Sequence, residues 1–219
     1  YGDVGDPGGW GDGFTPMDVA NALADHGGGP VTVRINSGGG VAFDGMSIYS
    51  LLRAHDAEIT VVVDGIAASA ASLIAMAGDK RELRDGAMLM IHDAASITFG
   101  PAAAHRDSAA KLDKLSDNYA QVYAARSGLE KKAVRELMLA TTYMTADEAI
   151  EKGFATAKAA DKAAPLAAFD YRLYVAEGDR VPDYLPIRER REQARREPPA
   201  FVPTNLAAAA RMRMRQRAR

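Results

Sequence analysis

The chain has 219 residues, of which 47% are hydrophobic, and a formal net charge of −2 at pH 7. This length and apolar content suffice for one globular domain with an appendage, so an enzyme is permitted. The absence of cysteine excludes disulfides, thiol nucleophiles and thiolate metal sites. The longest uncharged apolar run, between Asp64 and Asp79, is shorter than the roughly 20 residues of a membrane helix, and no signal-peptide pattern opens the sequence. We therefore expect neither a membrane segment nor a signal peptide.

Charge is distributed unevenly along the chain. Residues 187–219 contain ten Arg and three Glu, a net charge of +7, which leaves −9 on residues 1–186. Three prolines and the ending AAAARMRMRQRAR predict a flexible tail rather than a packed element. An arginine-rich tail of this kind could bind nucleic acid or an acidic protein surface electrostatically.

Short β-rich apolar runs alternate with amphipathic helical patterns through residue 155, which predicts an α/β fold. Thr15 and Pro16 form an N-cap and first-turn pair that begins a helix through Leu23. Asp44 is predicted to cap a helix through Arg53. The other predicted elements are strands at 31–35, 59–63 and 88–91, and helices ending at residue 77 and spanning 105–126, 130–139 and 146–152.

A serine follows the second predicted strand in the segment GIAASAAS, residues 65–72. The pattern places Ser69 at a helix start, where free N–H groups and the helix dipole favour a developing oxyanion. The small alanines around it would let a peptide backbone approach closely. Taken alone, the segment also fits a helix cap, because serine at a helix start is far more often a cap than a nucleophile.

Three consecutive glycines, Gly38, Gly39 and Gly40, follow the first predicted strand. Glycine permits positive φ angles, which turn an N–H toward a ligand and let a second chain lie close. Such a loop can bind a substrate backbone and form half of an oxyanion hole. It does not match a phosphate loop, because no Lys and Ser/Thr follow the glycines and GxGxxG is absent here and at the glycine-rich start of the chain. Alone, it also fits an ordinary turn.

His92 directly follows the apolar strand of the segment MLMIHDA. The end of a buried strand is a rigid mount for a general base, although most histidines in such places satisfy only a local hydrogen bond. His26, His55 and His105 have no metal-ligand spacing with one another, and HExxH is absent. We predict no metal site and no cofactor.

The three segments, in this order, resemble the Clp proteolytic subunit family, and specifically its phage head-maturation (prohead) protease branch. INSGGG resembles the INSPGG loop of that family, FDGMSIYSLL the helix after it, GIAAS the nucleophile turn, MIH the base and YMTADEAIEKGFA the closing segment. The resemblance covers about residues 1–155. It implies that Ser69 is the nucleophile, that His92 is the base, and that the N–H groups of Gly40 and Ala70 form the oxyanion hole. It also implies a crotonase-like spiral of ββα units and a ring-like homo-oligomer.

Two positions depart from the family pattern. Gly38 stands where the family usually has proline, which leaves Gly39 and Gly40 in place. Thr141 stands where the family has the acid that orients the histidine. A threonine hydroxyl could accept a hydrogen bond from the imidazole but supplies no negative charge, and disabling this acid in serine proteases lowers turnover by about 10⁴. Other acids that could reach the base in the fold are Asp93, Glu136 and Asp147.

The resemblance implies a ClpP-like serine protease domain over residues 1–160, followed by a connecting segment over 161–186, and composition predicts the flexible tail over 187–219. The resemblance implies capsid, scaffold or portal proteins as substrates, in the host cytoplasm or the procapsid interior, and no ATPase partner is predicted. Two alternatives remain. Thr141 and the tail also fit a non-catalytic assembly protein that kept the fold. An acyl-CoA enzyme would share the oxyanion hole, but the GIAAS and MIH segments have no role in it.

Overall fold

The computed structural model describes residues 1–6 and 13–160, which include every candidate site residue. The predicted connecting segment, the arginine-rich tail and the nucleic-acid hypothesis attached to it lie outside the described residues. Within the described part of the chain, no helix is long and apolar enough to cross a membrane.

Strands and helices alternate along the described residues, which confirms the predicted α/β class. The helices are α1 (Pro16–Asp25), α2 (Ala42–Ala54), α3 (Ala70–Ala75), α4 (Ala102–Ser127), α5 (Lys131–Leu139) and α6 (Ala146–Glu151). The strands are β1 (Val31–Ser37), β2 (Ile59–Ala68), β3 (Lys80–Leu83), β4 (Met88–Ile91), β5 (Thr142–Thr145) and β6 (Ala157–Lys158). The short strands β3, β5 and β6 were not predicted from the sequence, because they lack a run of apolar residues.

The six strands form one mixed sheet around β2. The first half of β2 pairs in parallel with β1 and β3, and its second half pairs in parallel with β4. β5 pairs antiparallel with β4, and β6 pairs in parallel with β3. The predicted end of this strand at Val63 was therefore wrong: β2 continues through Asp64 and Gly65 to Ala68 because its second half finds a new partner. That extension carries the chain directly to Ser69.

An ion-pair cluster around Asp64 of β2 joins β1 and the residue that follows β3. Arg34 donates to the carboxylate of Asp64 over 2.6 and 2.9 Å, and Arg84 donates over 2.7 Å. The Tyr1 hydroxyl donates to the same carboxylate over 2.6 Å. Burial by itself would raise the pKa of Asp64, but the hydrogen bonds from Arg34, Tyr1 and Arg84 outweigh it and lower the pKa to about 2. The cluster therefore holds an ionised carboxylate at the point where β2 changes partners.

Helix ends follow local signals in most places. Thr15 caps α1 and forms a capping box with Asp18, which confirms the predicted N-cap. Gly128 ends α4 in the left-handed conformation, at a φ of 82°. The predicted cap at Asp44 was wrong: α2 begins at Ala42, its N-cap is Val41, and Asp44 lies within the first turn. The helix starts earlier because the glycine loop ends at Gly40 and leads straight into it.

The core lies between β2 and the helices α2, α3 and α4. All six residues of α3 are buried, and most are alanine, serine or leucine. α2 approaches α3 so closely that a methyl group on Gly45 would lie 2.9 Å from the Cβ of Ala70. Small side chains therefore set the distance between the two helices, and Ser69 lies at the edge of this packed region.

Candidate active site

Ser69 forms the turn between β2 and α3. It has a φ of 54° and a ψ of −123°, and a positive φ is uncommon for a residue with a side chain. The turn is held on both sides, because the Ser69 N–H donates to the Met90 carbonyl over 3.0 Å and the Ser69 carbonyl accepts from the N–H of Ser72 over 3.0 Å. A strained backbone held by its surroundings is common at active sites, where it fixes a side chain in place.

The Ser69 Oγ and the His92 Nε2 are 2.8 Å apart. Both residues follow the carboxyl ends of neighbouring parallel strands, since β2 ends at Ala68, which pairs with Met90 of β4. A neutral imidazole with its proton on Nδ1 presents a lone pair on Nε2, and 2.8 Å is an ordinary hydrogen-bond length to a hydroxyl. The structure thus brings together the two side chains that the sequence predicted as nucleophile and base. Both are half-buried, so water and substrate can reach them.

The glycine loop packs directly against the Ser69 turn. Gly39 has a φ of 103°, and a methyl group on it would lie 2.7 Å from the Ser69 Cβ, 2.8 Å from the Ala68 carbonyl oxygen and 3.2 Å from the Ala70 nitrogen. The Gly39 N–H donates to the Ser37 hydroxyl over 3.1 Å, so it is occupied. Within the described residues, the N–H groups of Gly40 and Ala70 have no hydrogen-bond partner. Two main-chain donors are therefore left available near the hydroxyl.

Val4 holds the glycine loop in place, a role that sequence reasoning missed. Its N–H donates to the Gly39 carbonyl and its carbonyl accepts from the Val41 N–H, each over 2.8 Å. Val4 is fully buried, and a methyl group on Gly40 would collide with its carbonyl oxygen. The glycine run is the signal that could have pointed to a close backbone neighbour, although nothing local identified Val4.

Thr141 lies next to His92 in the β4 and β5 ladder but is not hydrogen-bonded to it within the described residues. Ile91 pairs with Thr142 in the antiparallel β4 and β5 ladder, so the next residues along the two strands are His92 and Thr141. Thr141 is exposed and has a φ of 51°, an uncommon conformation for a β-branched residue. No hydrogen bond joins Thr141 to His92 in the part of the chain that the structure describes.

The other acids considered from the sequence have different partners. Arg135 of α5 binds both carboxylate oxygens of Asp93, one of them over 3.0 Å, and this hydrogen bonding raises the pKa of Arg135. Asp147 accepts from Lys158 over 2.9 Å, and Glu136 is exposed. Among the described residues, no carboxylate is hydrogen-bonded to the imidazole. The site is therefore a Ser69 and His92 pair, with two main-chain donors, in this structure.

The sequence model of the family described as Clp protease matches residues 22–159, which is more than half of the chain. The chain belongs to the Clp protease family. The match spans the glycine loop, the Ser69 turn and the His92 strand, and it confirms the predicted family.

Two relatives are ATP-dependent Clp protease proteolytic subunits. The one from Pleurastrum terricola is 30% identical over 132 residues, 59% of this chain and 67% of that protein. The one from Staurastrum punctulatum is 33% identical over 130 residues, 58% of this chain and 65% of that protein. The chain thus spans about two thirds of the length of the relatives it matches.

The fold is also similar to a solved structure, a ClpP1 mutant from Listeria monocytogenes. The two superpose with a TM-score of 0.62 at 21% identity, over 74% of this chain and 90% of the other. This similarity confirms the predicted ClpP-like α/β fold. The descriptions of these proteins do not name the phage head-maturation branch, which stays a prediction.

Proposed function

We propose that this chain is a serine endopeptidase in which Ser69 is the nucleophile and His92 is the general base. The observation that carries the proposal is the 2.8 Å contact between the Ser69 Oγ and the His92 Nε2 beside the free N–H groups of Gly40 and Ala70. Membership of the Clp protease family supports it. A hydroxyl within hydrogen-bond reach of an imidazole is the arrangement that nucleophilic acyl transfer requires.

The proposed reaction proceeds by acyl transfer. The Ser69 Oγ attacks a backbone carbonyl carbon while the His92 Nε2 takes its proton, and the N–H groups of Gly40 and Ala70 bind the oxyanion that forms. The imidazolium then returns the proton to the leaving amine as the peptide C–N bond breaks. Water, deprotonated by the same imidazole, hydrolyses the acyl-enzyme. Gly38, which is exposed and has no side chain, would present its backbone to the substrate strand, whereas Gly39 is buried and both its N–H and its carbonyl are already hydrogen-bonded, to Ser37 and Val4.

The residue at the position of the triad acid, Thr141, determines how fast the Ser69 and His92 pair can turn over substrate. A carboxylate at Nδ1 would stabilise the imidazolium and hold its tautomer, and Thr141 supplies no charge. We therefore expect slow turnover, lower by up to about 10⁴ than that of a complete triad. Phosphonylation by a fluorophosphonate probe, in which the serine oxygen bonds to phosphorus and fluoride leaves, is less demanding than peptide hydrolysis because fluoride is a good leaving group.

The catalytic proposal is tested with a fluorophosphonate probe and a fluorogenic peptide library. We expect the probe to label Ser69 of the full chain, as mapped by mass spectrometry, and Ser69→Ala to abolish both labelling and cleavage. Ser50→Ala is the matched control, because Ser50 is an exposed serine on α2 whose hydroxyl only donates to the Met46 carbonyl. Cleavage that survives in Ser69→Ala but not in a vector-only preparation would overturn the mechanism.

For the substrate, we propose the capsid, scaffold or portal proteins of a phage head, within a procapsid assembled in the host cytoplasm. The support is the resemblance of the closing segment YMTADEAIEKGFA and of the helix FDGMSIYSLL to that branch. The test is intact-mass measurement of these proteins, taken from the same genome and co-expressed with the wild-type chain or with Ser69→Ala. New termini that depend on Ser69 are expected, and unchanged masses with an active protease would remove this substrate class.

We also propose that the chain assembles as a ring-like homo-oligomer. Large hydrophobic side chains are exposed on several elements, and burial against a second copy would remove them from water. The most exposed are Met17, Phe43, Ile97, Phe99 and Leu139. Light scattering coupled to size exclusion is expected to give a mass several times that of one chain, and a monomer at micromolar concentration would contradict the proposal.

A second candidate function is that of a catalytically weak or inactive assembly protein with the ClpP fold. The observation that favours it is the third position, where Thr141 replaces the acid and Arg135 occupies the nearby carboxylate of Asp93. The probe experiment discriminates between the two. Labelling of Ser69 counts against the assembly protein, and a folded, oligomeric chain that is never labelled favours it.

A further inference from the structure

One face of α4 carries three buried hydroxyl groups, on Ser116, Tyr119 and Tyr123. Their residues are 2%, 6% and 1% exposed. Spacings of three and four residues place them on the same side of the helix. Each hydroxyl is hydrogen-bonded to a different segment of the active site. We call Ser116, Tyr119 and Tyr123 together the hydroxyl row of α4.

Ser116 binds the segment that carries the base. The N–H of Ala94, two residues after His92, donates to the Ser116 Oγ over 3.0 Å. The chain leaves β4 at Ile91 and has no further strand partner at this point. This hydrogen bond therefore holds the backbone that follows the imidazole.

Tyr119 binds the segment that follows the glycine loop. Its hydroxyl donates to the Ala42 carbonyl over 2.7 Å, at the start of α2. The contact is close on a second side, because a methyl group on Gly45 would lie 3.2 Å from the Tyr119 hydroxyl oxygen. The position of α2, and with it the end of the loop at Gly40, is thus tied to α4.

Tyr123 reaches the nucleophile turn through Ser72. The Tyr123 hydroxyl and the Ser72 Oγ are 2.8 Å apart, and the Ser72 Oγ donates to the Ser69 carbonyl over 2.6 Å. Since the Ser72 proton is used on the Ser69 carbonyl, the Tyr123 hydroxyl is the donor to Ser72. The chain of two hydrogen bonds ends on the backbone of Ser69, the residue with the uncommon positive φ.

We propose that Ser116, Tyr119 and Tyr123 are positioning residues for the Ser69 and His92 pair. The row holds the base segment, the oxyanion loop and the nucleophile turn at fixed distances from one another. These three segments lie far apart in the sequence, and α4 is the one element that hydrogen-bonds to all of them through side chains within the described residues. The inference rests on the proposed function, because positioning matters only if Ser69 reacts.

Two features separate a positioning role from simple packing. The rings of Tyr119 and Tyr123 pack edge to face with centroids 6.0 Å apart, and phenylalanine would keep that contact while losing only the hydroxyl. Burial raises the pKa of both tyrosines, so their hydroxyls stay protonated and able to donate. Tyrosine-to-phenylalanine variants therefore remove the hydrogen bonds alone.

The test compares Tyr123→Phe, Tyr119→Phe and Ser116→Ala in the full chain. Fluorophosphonate labelling of Ser69 is measured against probe concentration, under conditions where circular dichroism shows each variant folded. We expect the maximal labelling rate to fall by about five- to a hundredfold, with the half-saturating probe concentration unchanged. Tyr49→Phe is the matched control, because the half-buried Tyr49 on α2 makes no hydrogen bond through its hydroxyl in the described part of the chain.

Two further measurements make the outcome decisive. If Tyr123 acts through Ser72, the double variant Tyr123→Phe with Ser72→Ala loses no more labelling rate than the worse single variant. Hydrogen exchange locates the effect: each variant is expected to speed exchange only in its partner segment, 69–76, 39–46 or 92–96. Labelling at the wild-type rate in all three variants, or a fall equal to that of Tyr49→Phe, would overturn the inference.

The exchange measurement also separates this inference from the proposed function. If Ser69 of the wild-type chain is never labelled, the proposed peptidase function fails. Hydrogen exchange alone then tests whether the hydroxyl row holds its three partner segments in place. Faster exchange that is confined, in each variant, to its partner segment then supports a positioning role for the row. Uniformly faster exchange in all segments overturns that role.

Discussion

Replacing Gly39 with alanine would insert a methyl group between the glycine loop and the nucleophile. The new Cβ would lie 2.7 Å from the Ser69 Cβ and 2.8 Å from the Ala68 carbonyl oxygen, and both are part of a tightly held turn. The φ of Gly39 is 103°, which an alanine adopts only with strain. Either the loop or the Ser69 turn must therefore move by several tenths of an ångström.

Two terms add to the expected loss of stability. The left-handed conformation costs about 1–2 kcal/mol for a residue with a Cβ, and overpacking against a fixed neighbour adds about 1–3 kcal/mol. We therefore expect the free energy of unfolding of Gly39→Ala to fall by about 2–5 kcal/mol. We also expect Ser69 to react more slowly, because a displacement approaching 1 Å at a reacting group lowers the rate by about 10².

The assay pairs urea unfolding with the maximal rate of fluorophosphonate labelling at Ser69. Gly86→Ala is the matched control, because Gly86 also has a positive φ, 81°, but a methyl group there would meet nothing within 4 Å. It isolates the conformational term of about 1–2 kcal/mol and should leave labelling unchanged. Gly39→Ala should lower the labelling rate by about ten- to a hundredfold. If Gly39→Ala and Gly86→Ala label at the same rate, the close packing of the loop on Ser69 has no bearing on its reactivity.

Three other perturbations follow from the structure. Thr141→Asp places a carboxylate beside His92 in the β4 and β5 ladder and should raise peptide turnover, by at most about 10⁴. The uncharged control Thr141→Asn should not raise it. Equal turnover in the two variants would show that charge at this position is irrelevant. The Asp64 carboxylate has its pKa lowered from 3.8 to about 2, so its stabilisation is complete above about pH 4 and is lost as the pH falls toward 2. With screening by solvent taken into account, this contribution to the free energy of unfolding is about 1–2 kcal/mol. Urea titrations should show that Asp64→Asn flattens the pH dependence of stability between about pH 4 and pH 2. An unchanged slope in that range would contradict the lowered pKa of Asp64. Thr15→Ala removes the capping box with Asp18 and should destabilise α1 by about 1 kcal/mol, seen as faster hydrogen exchange confined to that helix.

Part of this fold could be predicted because its signals are local. The capping residue Thr15 and the stop at Gly128 act within one turn of the helix they bound, and the apolar runs of β1, β2 and β4 need only a buried face. The family motifs in chain order likewise pointed to Ser69 and His92. Their contact then follows from topology, since both residues end neighbouring parallel strands.

Other features depend on partners that lie far away in the sequence. β2 extends past Asp64 only because β4 is there to pair with it, and the short strands β3, β5 and β6 have too few apolar residues to be recognised alone. Asp93 was a candidate acid by its position next to His92, yet it binds Arg135, which is 42 residues away. Pairings of this kind depend on where helices dock, and no local pattern encodes that.

The α/β class, the family and the choice of Ser69 and His92 as candidate nucleophile and base could be predicted without coordinates, because periodicity and ordered motifs are properties of the sequence. The groups that surround this pair could be identified only from the folded chain. Val4 lies on the glycine loop, the hydroxyl row of α4 contacts three segments of the site, and Thr141 lies beside His92 in the ladder with no hydrogen bond to it among the described residues. Hydrogen bonds act over about 3 Å, and chain segments separated by tens of residues come within that distance only when the whole core has packed.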